Sequence, residues 1–366
     1  MKIYGIFRGF AGLGRVVSGM ALIERFRADG HEVRVFTYAQ GLSVAKEEGL
    51  PCLPVKGTKD IGFMGLVPIS PTGLSVIDEI LAWQPDVILV DGEPLMISCL
   101  RVAGVKGKII ALVNTTDLYS PTNHPVTMNF FRHLFCQSDL VLCHGLQNIE
   151  DHVPKEFQRK VVCLHTIFRQ AILKIRRERS KDVICILGGG TKNCAQDFVD
   201  STVEIGQRVL LLAQKRPKIK FRIYCNDEVI AERIQNEFNV LPNVQIIASY
   251  ASPCDMYENA AIVIARAGRN TLSELLYLKI PAIVIPILRN VVSIEQNRNV
   301  QIVSNLSNGR IMGYDLRSNP TDIIEAFERV CRQKDQPYDT WDSGNDEAYR
   351  RICACATATA SKNSVG

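Results

Sequence analysis

Residues 262–300 contain two apolar segments separated by a polar loop and a helix-forming segment, and this pattern restricts the fold more than any other part of the chain. The first apolar segment spans 262–265, the loop spans 266–271, and the second apolar segment spans 282–286. Apolar, β-branched segments that alternate with helices are typical of parallel strands covered by helices on both faces. The sequence therefore predicts a strand, loop, helix and strand of an α/β fold in this region.

The loop of this unit has the features of an anion-binding site. Gly268 lets the backbone approach a ligand closely. The amide groups at the start of a helix, together with the helix dipole, favour an anion such as a diphosphate. We predict that the helix begins near Thr271, which caps it, and that Glu274 completes a capping box in the first turn. The alternative interpretation is a well-capped helix that binds nothing.

A second polar cluster, Glu295, Gln296 and Asn299, favours a bound ligand. The cluster stands about ten residues after the second apolar segment. Ligands of open parallel sheets bind beyond the carboxyl ends of the strands, so both polar groups are expected at one edge of the sheet.

The same alternation of strands and helices extends over most of the chain and restarts at residue 183. We predict an α/β fold with two doubly wound, Rossmann-like parallel-sheet domains that face each other across a cleft. The domains are expected at 1–170 and 183–333, with a basic linker at 171–182. Residues 334–366 are expected to form an extension in which a helix at 345–352 packs on the first domain and the end is mobile.

Length and composition agree with a globular protein of two domains. The chain has 366 residues, of which 46% are hydrophobic and 22% are charged. No apolar run approaches the ~18 residues of a membrane span, and the first ten residues resemble a strand rather than a signal peptide. We therefore expect no transmembrane segment and a cytoplasmic location.

Charge and cysteine usage exclude several classes of protein. The net charge of +5 is modest and its signs are interspersed, so nucleic acid is not an expected partner. The basic segment 174–181 is either a solvated linker or a surface for phospholipid or nucleic acid. The 12 scattered cysteines are interpreted as small core residues in a reducing compartment. Cys353 and Cys355 are too closely spaced for the usual zinc pair, so no metal site is expected.

The segment 266–274 also carries a resemblance to a known family. It resembles the Arg-Ser-Gly-x-x-Thr-x-x-Glu loop and helix of the inverting, two-domain nucleotide-sugar glycosyltransferases, the group that includes the N-acetylglucosaminyl transferase of peptidoglycan lipid II synthesis, with Ala267 in place of Ser. In that group the loop and helix hold the donor phosphates and ribose, and an acidic-Gln-x-x-Asn cluster binds the donor sugar. The resemblance implies the GT-B architecture and a donor site formed by Arg266, Gly268, Asn270, Thr271, Glu274, Glu295, Gln296 and Asn299.

Two further segments are expected to belong to this donor site. The loop 188–191, which follows the predicted strand 183–187, is expected to face the Gly268 loop across the cleft, so that both donate amide groups to one diphosphate. The nucleotide base is expected near 246–250, where family members bind uracil largely through backbone groups, and this does not distinguish uridine from thymidine. The residues concerned are Gly188, Gly189, Gly190, Thr191 and Tyr250.

A glycine-containing loop follows the first strand and contains Gly12, Gly14 and Arg15. The spacing of its glycines does not match the dinucleotide-binding pattern Gly-x-Gly-x-x-Gly. The resembling family often has His at the position of Arg15, as a candidate base. An arginine cannot accept a proton at neutral pH, so Arg15 either binds a phosphate or carboxylate of a substrate or is a surface residue.

The base is therefore sought among Asp91, Glu93, Asp117 and His124, which follow two predicted strands. We select Asp91 because it ends a buried strand, with Glu93 as its nearest substitute. Helix capping and turn formation are the alternative roles for these side chains.

The resemblance implies a glycosyltransferase that moves a sugar from a nucleoside diphosphate, UDP in the first instance, to a hydroxyl of a small-molecule or lipid-linked acceptor. Helix amides and Arg266 stabilise the leaving diphosphate, and no Asp-x-Asp pair follows a strand, so we expect no metal and no cofactor besides the nucleotide-sugar. The pattern of the retaining relatives does not occur around Glu274, which favours inversion. A lipid-linked acceptor would place the protein peripherally at the inner face of the membrane. A nucleotide-sugar hydrolase or 2-epimerase, or a non-catalytic donor-binding partner, remains the alternative.

Overall fold

A computed structural model describes residues 1–9, 13–53, 61–62, 65–66, 68–121, 123–176, 182–188, 196–225, 227–236, 241–248, 252–287 and 291–358. The chain forms two compact units. The first unit comprises residues 1–168 and 343–366, and the second comprises residues 169–342.

The first unit is built on a six-stranded parallel sheet with the strand order β2-β1-β5-β6-β7-β8. Its strands are β1 (Lys2–Phe7), β2 (Glu32–Phe36), β3 (Ile61–Gly62), β4 (Gly65–Leu66), β5 (Val87–Asp91), β6 (Lys108–Asn114), β7 (Leu140–His144) and β8 (Val161–Leu164), of which β3 and β4 form a separate antiparallel pair. Its first helices are α1 (Gly14–Ala28), α2 (Gly41–Glu47), α3 (Pro71–Trp83), α4 (Pro94–Val102), α5 (Thr115–Leu118) and α6 (Pro125–Phe135), with a 3-10 helix at Glu150–His152.

The second unit repeats this architecture with the strand order β11-β10-β9-β12-β13-β14, and all its strand pairs are parallel. Its strands are β9 (Asp182–Ile186), β10 (Phe221–Tyr224), β11 (Val244–Ile247), β12 (Ala260–Arg266), β13 (Ala282–Ile285) and β14 (Ile311–Gly313). Its helices are α7 (Gln196–Lys215), α8 (Glu228–Asn236), α9 (Pro253–Tyr257), α10 (Arg269–Tyr277), α11 (Val291–Leu306) and α12 (Asp322–Gln333), with a 3-10 helix at Gln170–Lys174.

Burial explains why these segments become central strands. All five residues of β5 are buried, and so are all four residues of β13. Strands covered on both faces need continuous apolar, β-branched sequence, and the sequences VILVD and AIVI supply it. Each unit has its own apolar core between sheet and helices. The predicted fold class, two doubly wound parallel-sheet domains, is confirmed.

The unit boundaries differ from the sequence expectation at both ends of the second unit. The chain enters this unit at Arg169, so the described part of the expected linker 171–182 lies within it. The chain returns to the first unit at Ser343, within the segment 334–366 whose helix at 345–352 was expected to pack on the first domain. A last helix, α13 (Asn345–Thr357), packs against α1, β6 and β7. Residues 359–366, expected to be mobile, lie outside the described residues.

Asn345 fixes the start of this returning helix. Its side-chain oxygen accepts a hydrogen bond from the Phe168 amide at 3.1 Å, and its side-chain nitrogen donates to the Phe168 carbonyl at 2.8 Å. Asn345 is only 2% exposed, so its side chain replaces water as the hydrogen-bond partner of both backbone groups of Phe168. The chain is thereby held together where it leaves the first unit and where it comes back.

Among the described residues, no helix combines the length and the apolar character needed to cross a membrane.

Candidate active site

Two loops of the second unit meet at the carboxyl edge of its sheet. Gly188 follows β9, Arg266 ends β12, and these two strands are paired neighbours. Gly188 has a φ of +79°, and a Cβ at this position would lie 2.2 Å from a terminal nitrogen of Arg266. Both the positive φ at this position and the short distance to the Arg266 guanidinium therefore favour glycine. The expectation that the two loops face each other across a cleft is wrong, because adjacent strands place them side by side.

Arg266 is held against helix α7. Its guanidinium carbon lies 4.4 Å from the centre of the Phe198 ring, and a terminal nitrogen donates to Thr202 Oγ1 at 3.3 Å. The Arg266 side chain remains half-buried. A cation at this edge, close to a helix start, is suited to an anionic ligand.

The helix that follows Arg266 begins earlier than the sequence predicts. Helix α10 starts at Arg269, with Gly268 as its cap residue and no side-chain capping bond. Thr271 is therefore inside the first turn rather than at the cap, and Glu274 is not part of a capping box. The extended backbone of Gly268, with φ −75° and ψ 137°, already starts the helix without a side chain. The capping roles expected for Thr271 and Glu274 are therefore wrong, and whether the helix start binds a ligand stays a prediction.

The start of α10 is open. A Cβ built on Gly268 meets no atom of the described residues within 4 Å, and the φ of Gly268 does not require glycine. Neither packing nor backbone strain within the described chain therefore accounts for a glycine at this position. The close approach of a ligand to Gly268 stays a prediction.

Glu274 is buried more deeply than expected for a residue that contacts a ligand at the surface. It is 2% exposed, its two oxygens bind the Arg169 guanidinium at 3.2 and 3.1 Å, and Tyr257 donates its hydroxyl at 2.7 Å. Burial, followed by the charge of Glu274, raises the pKa of Tyr257, so the phenol stays a donor. Each carboxylate oxygen can accept two hydrogen bonds. Of the three bonds to Glu274, Oε1 accepts one and Oε2 accepts two. The role of Glu274 toward a ribose stays a prediction.

The second polar cluster lies at the start of helix α11. Gln296 is 7% exposed and its carbonyl oxygen accepts a hydrogen bond from the Ile287 amide at 2.9 Å, just beyond strand β13. Asn299 is buried one turn later, and Glu295 is half-buried. The Ile287 amide occupies one of the two acceptor positions of the Gln296 carbonyl, and a contact of Gln296 with a sugar stays a prediction.

Two other predicted donor residues belong to the first turn of α10. Asn270 Oδ1 accepts from Arg269 Nε at 3.2 Å, and Thr271 is half-buried. Five further predicted positions lie outside the described residues: Gly12, Gly189, Gly190, Thr191 and Tyr250.

In the first unit, Arg15 connects two of the predicted bases. One terminal nitrogen donates to Asp91 Oδ1 at 2.8 Å and to Asp117 Oδ2 at 3.0 Å, and the other donates to Asp117 Oδ1 at 2.8 Å. Burial alone lowers the pKa of Arg15, but the charges of Asp117 and Asp91 outweigh it and raise the pKa above its usual value. Gly14, the first residue of α1, precedes this arginine. Arg15 is thus neither a surface residue nor a base.

The two carboxylates differ in their access to a substrate. Asp91 has no exposed surface, whereas Asp117 is 18% exposed. Gly92, with φ +80°, leaves room for the pair, because a Cβ there would lie 2.5 Å from Arg15 Cδ. Asp117 also accepts the Asn114 amide at 2.8 Å at the start of α5. The assignment of the base to Asp91 stays a prediction, and its burial weighs against it.

Glu93 lies buried directly before α4, near Arg15 but bound to other groups. It is 3% exposed, accepts a very short hydrogen bond from the Tyr38 hydroxyl and one of 3.0 Å from the Leu66 amide, and lies 3.7 Å from Arg8. Burial raises the pKa of Glu93 to about 7 in spite of Arg8 and these hydrogen bonds.

His124 is the fourth predicted base and is exposed. It caps helix α6, where its Nδ1 accepts the Val126 amide at 3.3 Å. The structure thus joins Asp91 and Asp117 through Arg15 and places Glu93 and His124 in their own surroundings. The described residues contain no group of three or more His, Cys, Asp or Glu side chains that could hold a metal ion. Metal independence stays a prediction.

Sequence reasoning missed the residues that hold these groups in place. Arg169 and Tyr257 bind Glu274, and Phe198 and Thr202 bind Arg266. Only the spacing of Phe198 and Thr202, four residues apart, indicates that they share a helix face. Their distance from Arg266 in the sequence gives no signal of the contact.

Comparison with known proteins agrees with this geometry. Residues 183–351 match the family model described as glycosyltransferase family 28 C-terminal domain. Over 354 residues the chain is 23% identical to the UDP-N-acetylglucosamine–N-acetylmuramyl-(pentapeptide) pyrophosphoryl-undecaprenol N-acetylglucosamine transferase 2 of Bacillus cereus, covering 92% of this chain and 93% of the relative.

Solved structures show the same fold. MurG of Acinetobacter baumannii matches with a TM-score of 0.57 and 14% identity, over 97% of this chain and all of that one. The UDP-GlcNAc 2-epimerase of Neisseria meningitidis matches with a TM-score of 0.61 and 16% identity, over 97% of this chain and 99% of that one.

The two parallel-sheet units, the match of residues 183–351 to the family 28 model and the relative of 23% identity together support a nucleotide-sugar glycosyltransferase of the GT-B fold class. Over most of its length it resembles the lipid II N-acetylglucosaminyltransferases.

Proposed function

We propose that the protein transfers a sugar from UDP to a hydroxyl of a lipid-linked or small-molecule acceptor, with inversion at the anomeric carbon and without a metal ion. The observation that carries the proposal is the edge of the second sheet. Arg266 and the open start of α10 at Gly268 lie together there, within the domain that matches family 28. The Bacillus cereus relative is named for a UDP-sugar donor and a pyrophosphoryl-undecaprenol acceptor, which supports the same classes here.

The donor is held by this edge of the sheet. The amides of α10 and the Arg266 guanidinium stabilise the charge that develops on the leaving diphosphate, so these fixed groups supply what a metal ion supplies elsewhere. Glu274 receives one ribose hydroxyl, and Gln296 contacts the sugar. The uracil lies beside β11.

The acceptor proton goes to the carboxylates around Arg15. Arg15 binds both carboxylates, and Asp117 is the more exposed of the two, so we assign the acceptor proton to Asp117. The acceptor oxygen forms its bond to the anomeric carbon as the bond to the diphosphate breaks, and Asp117 takes the hydroxyl proton. A single displacement of this kind inverts the anomeric centre.

The fold of the Neisseria meningitidis enzyme makes a nucleotide-sugar 2-epimerase the second candidate. Incubation with UDP-N-acetylglucosamine, with and without a panel of hydroxyl acceptors, separates the candidates by mass spectrometry and NMR. A heavier acceptor together with UDP supports the transferase. A donor isomerised at C2 supports the epimerase, free sugar alone supports a hydrolase, and tight UDP binding without turnover supports a non-catalytic partner.

A further inference from the structure

We propose that Phe198 and Thr202 are positioning residues that hold the Arg266 guanidinium on the donor diphosphate, and that the affinity of the protein for phosphate depends on them. The inference rests on the proposed function, because it concerns the UDP-sugar site. Neither residue belongs to the loop 266–271 or to the polar cluster at 295–299.

The Arg266 side chain is enclosed on three sides. The Phe198 ring lies under the guanidinium, with 4.4 Å between the ring centre and the guanidinium carbon. Thr202 Oγ1 accepts from one terminal nitrogen at 3.3 Å, and Gly188 gives the other terminal nitrogen room that any Cβ would fill. These contacts fix the plane of the guanidinium.

The two positioning residues are themselves oriented by helix α7. They stand four residues apart and therefore on one face of the helix. The Thr202 hydroxyl donates to the Phe198 carbonyl at 2.7 Å, so a lone pair of the same oxygen is directed to Arg266. Thr202 is 1% exposed, whereas Arg266 is half-buried. The support is thus buried and the cation keeps accessible surface.

Pre-orientation matters because an unrestrained arginine has many rotamers. A guanidinium that is already fixed loses less conformational entropy when it binds a phosphate. It also meets the developing negative charge of the leaving group without reorganising. Loss of the aromatic face or of the hydroxyl should therefore weaken phosphate binding while the arginine itself is retained.

The test measures the dissociation constant of uridine divided by that of UDP, a ratio that reports the contribution of the two phosphates to binding. Arg266→Met should lower this ratio about tenfold or more. Phe198→Leu and Thr202→Val should each lower it about two- to fivefold. The conservative variants Phe198→Tyr and Thr202→Ser should keep the ratio of the wild-type protein. A merely structural defect weakens both ligands equally and leaves the ratio unchanged.

Arg222→Met is the matched control. Arg222 belongs to the same sheet and is paired at 2.9 Å with Asp182, the first residue of β9, so its removal changes the net charge equally but near the amino ends of the strands. The ratio should stay at the wild-type value. If Arg266→Met lowers the ratio while Phe198→Leu and Thr202→Val do not, the positioning role is overturned and the proposed function stands. If folded wild-type protein fails to bind UDP, the proposed function fails and the inference with it.

Discussion

Arg169 binds both carboxylate oxygens of Glu274 inside the second unit, with distances of 3.2 Å to Oε1 and 3.1 Å to Oε2. The carboxylate is 2% exposed, and the Tyr257 hydroxyl donates to it as well. A residue that the sequence presents as a ribose ligand is therefore also part of a buried ion pair. The two roles predict different consequences of mutation.

Glu274→Ala should destabilise the protein by about 3 to 5 kcal/mol, because it takes the buried carboxylate away from both the half-buried Arg169 guanidinium and the buried Tyr257 hydroxyl. Urea unfolding measures the change. The double variant Arg169→Met/Glu274→Leu should regain most of the loss, since it removes both charges and keeps apolar volume. A loss below about 1 kcal/mol in Glu274→Ala would contradict a structural ion pair. Unchanged UDP affinity in folded Glu274→Ala protein would exclude the ribose contact.

Asp117→Asn should lower the rate of sugar transfer by about 10² to 10⁴, with UDP affinity nearly unchanged, because it keeps the shape of the side chain and removes the basic oxygen. Asp91→Asn should lower the rate by less than about tenfold, since its carboxylate has no exposed surface and acts through Arg15. His124→Ala serves as the control and should stay active. A larger loss in folded Asp91→Asn than in Asp117→Asn would assign the base to Asp91, as the sequence suggests.

The contribution of Glu93 to the stability of the protein should fall as the pH rises from about 4.5 to about 7. The pKa of Glu93 is raised by burial from 4.5 to about 7. Between these pH values the folded state keeps a proton on Glu93 that the unfolded state has lost. The free energy of unfolding therefore decreases as the pH rises, and this decrease ends near pH 7. The contribution of this group is about 3 kcal/mol in total.

Glu93→Gln isolates this contribution, because the amide stays neutral at every pH. Urea unfolding at pH 5 and pH 8 should show that the variant gains stability relative to wild type at the higher pH. An equal difference between the two proteins at both pH values would show that Glu93 does not titrate in this range.

The order of strands and helices and the position of the loop 266–271 could be predicted because they depend on local patterns. Apolar β-branched segments gave the central strands, and Gly268 beside Arg266 marked the edge of the second sheet. The helix start was wrong by two residues, since the extended backbone of Gly268 starts α10 without the side-chain cap that Thr271 suggested.

Contacts between distant segments could not be predicted in the same way. Arg15 meets Asp91 and Asp117 over separations of 76 and 102 residues, and nothing in the local spacing of these residues indicates that one guanidinium joins them. The return of the chain to the first unit depends on Asn345, which binds Phe168 over 177 residues. Such pairs arise from the topology of the sheets rather than from periodicity.

The central claim is that the edge of the second sheet binds UDP through backbone amides and Arg266 without a metal ion. Calorimetric titration of UDP in the presence of EDTA, for wild type and for Gly268→Val, tests it most directly. Wild type should bind UDP with the same affinity in EDTA and in magnesium. Gly268→Val should bind at least about tenfold more weakly, with a loss of stability of no more than about 1 kcal/mol, because valine is a poorer N-cap than glycine but its Cβ meets no atom of the described residues within 4 Å. Absence of UDP binding by folded wild type, or equal binding by Gly268→Val, would contradict the claim.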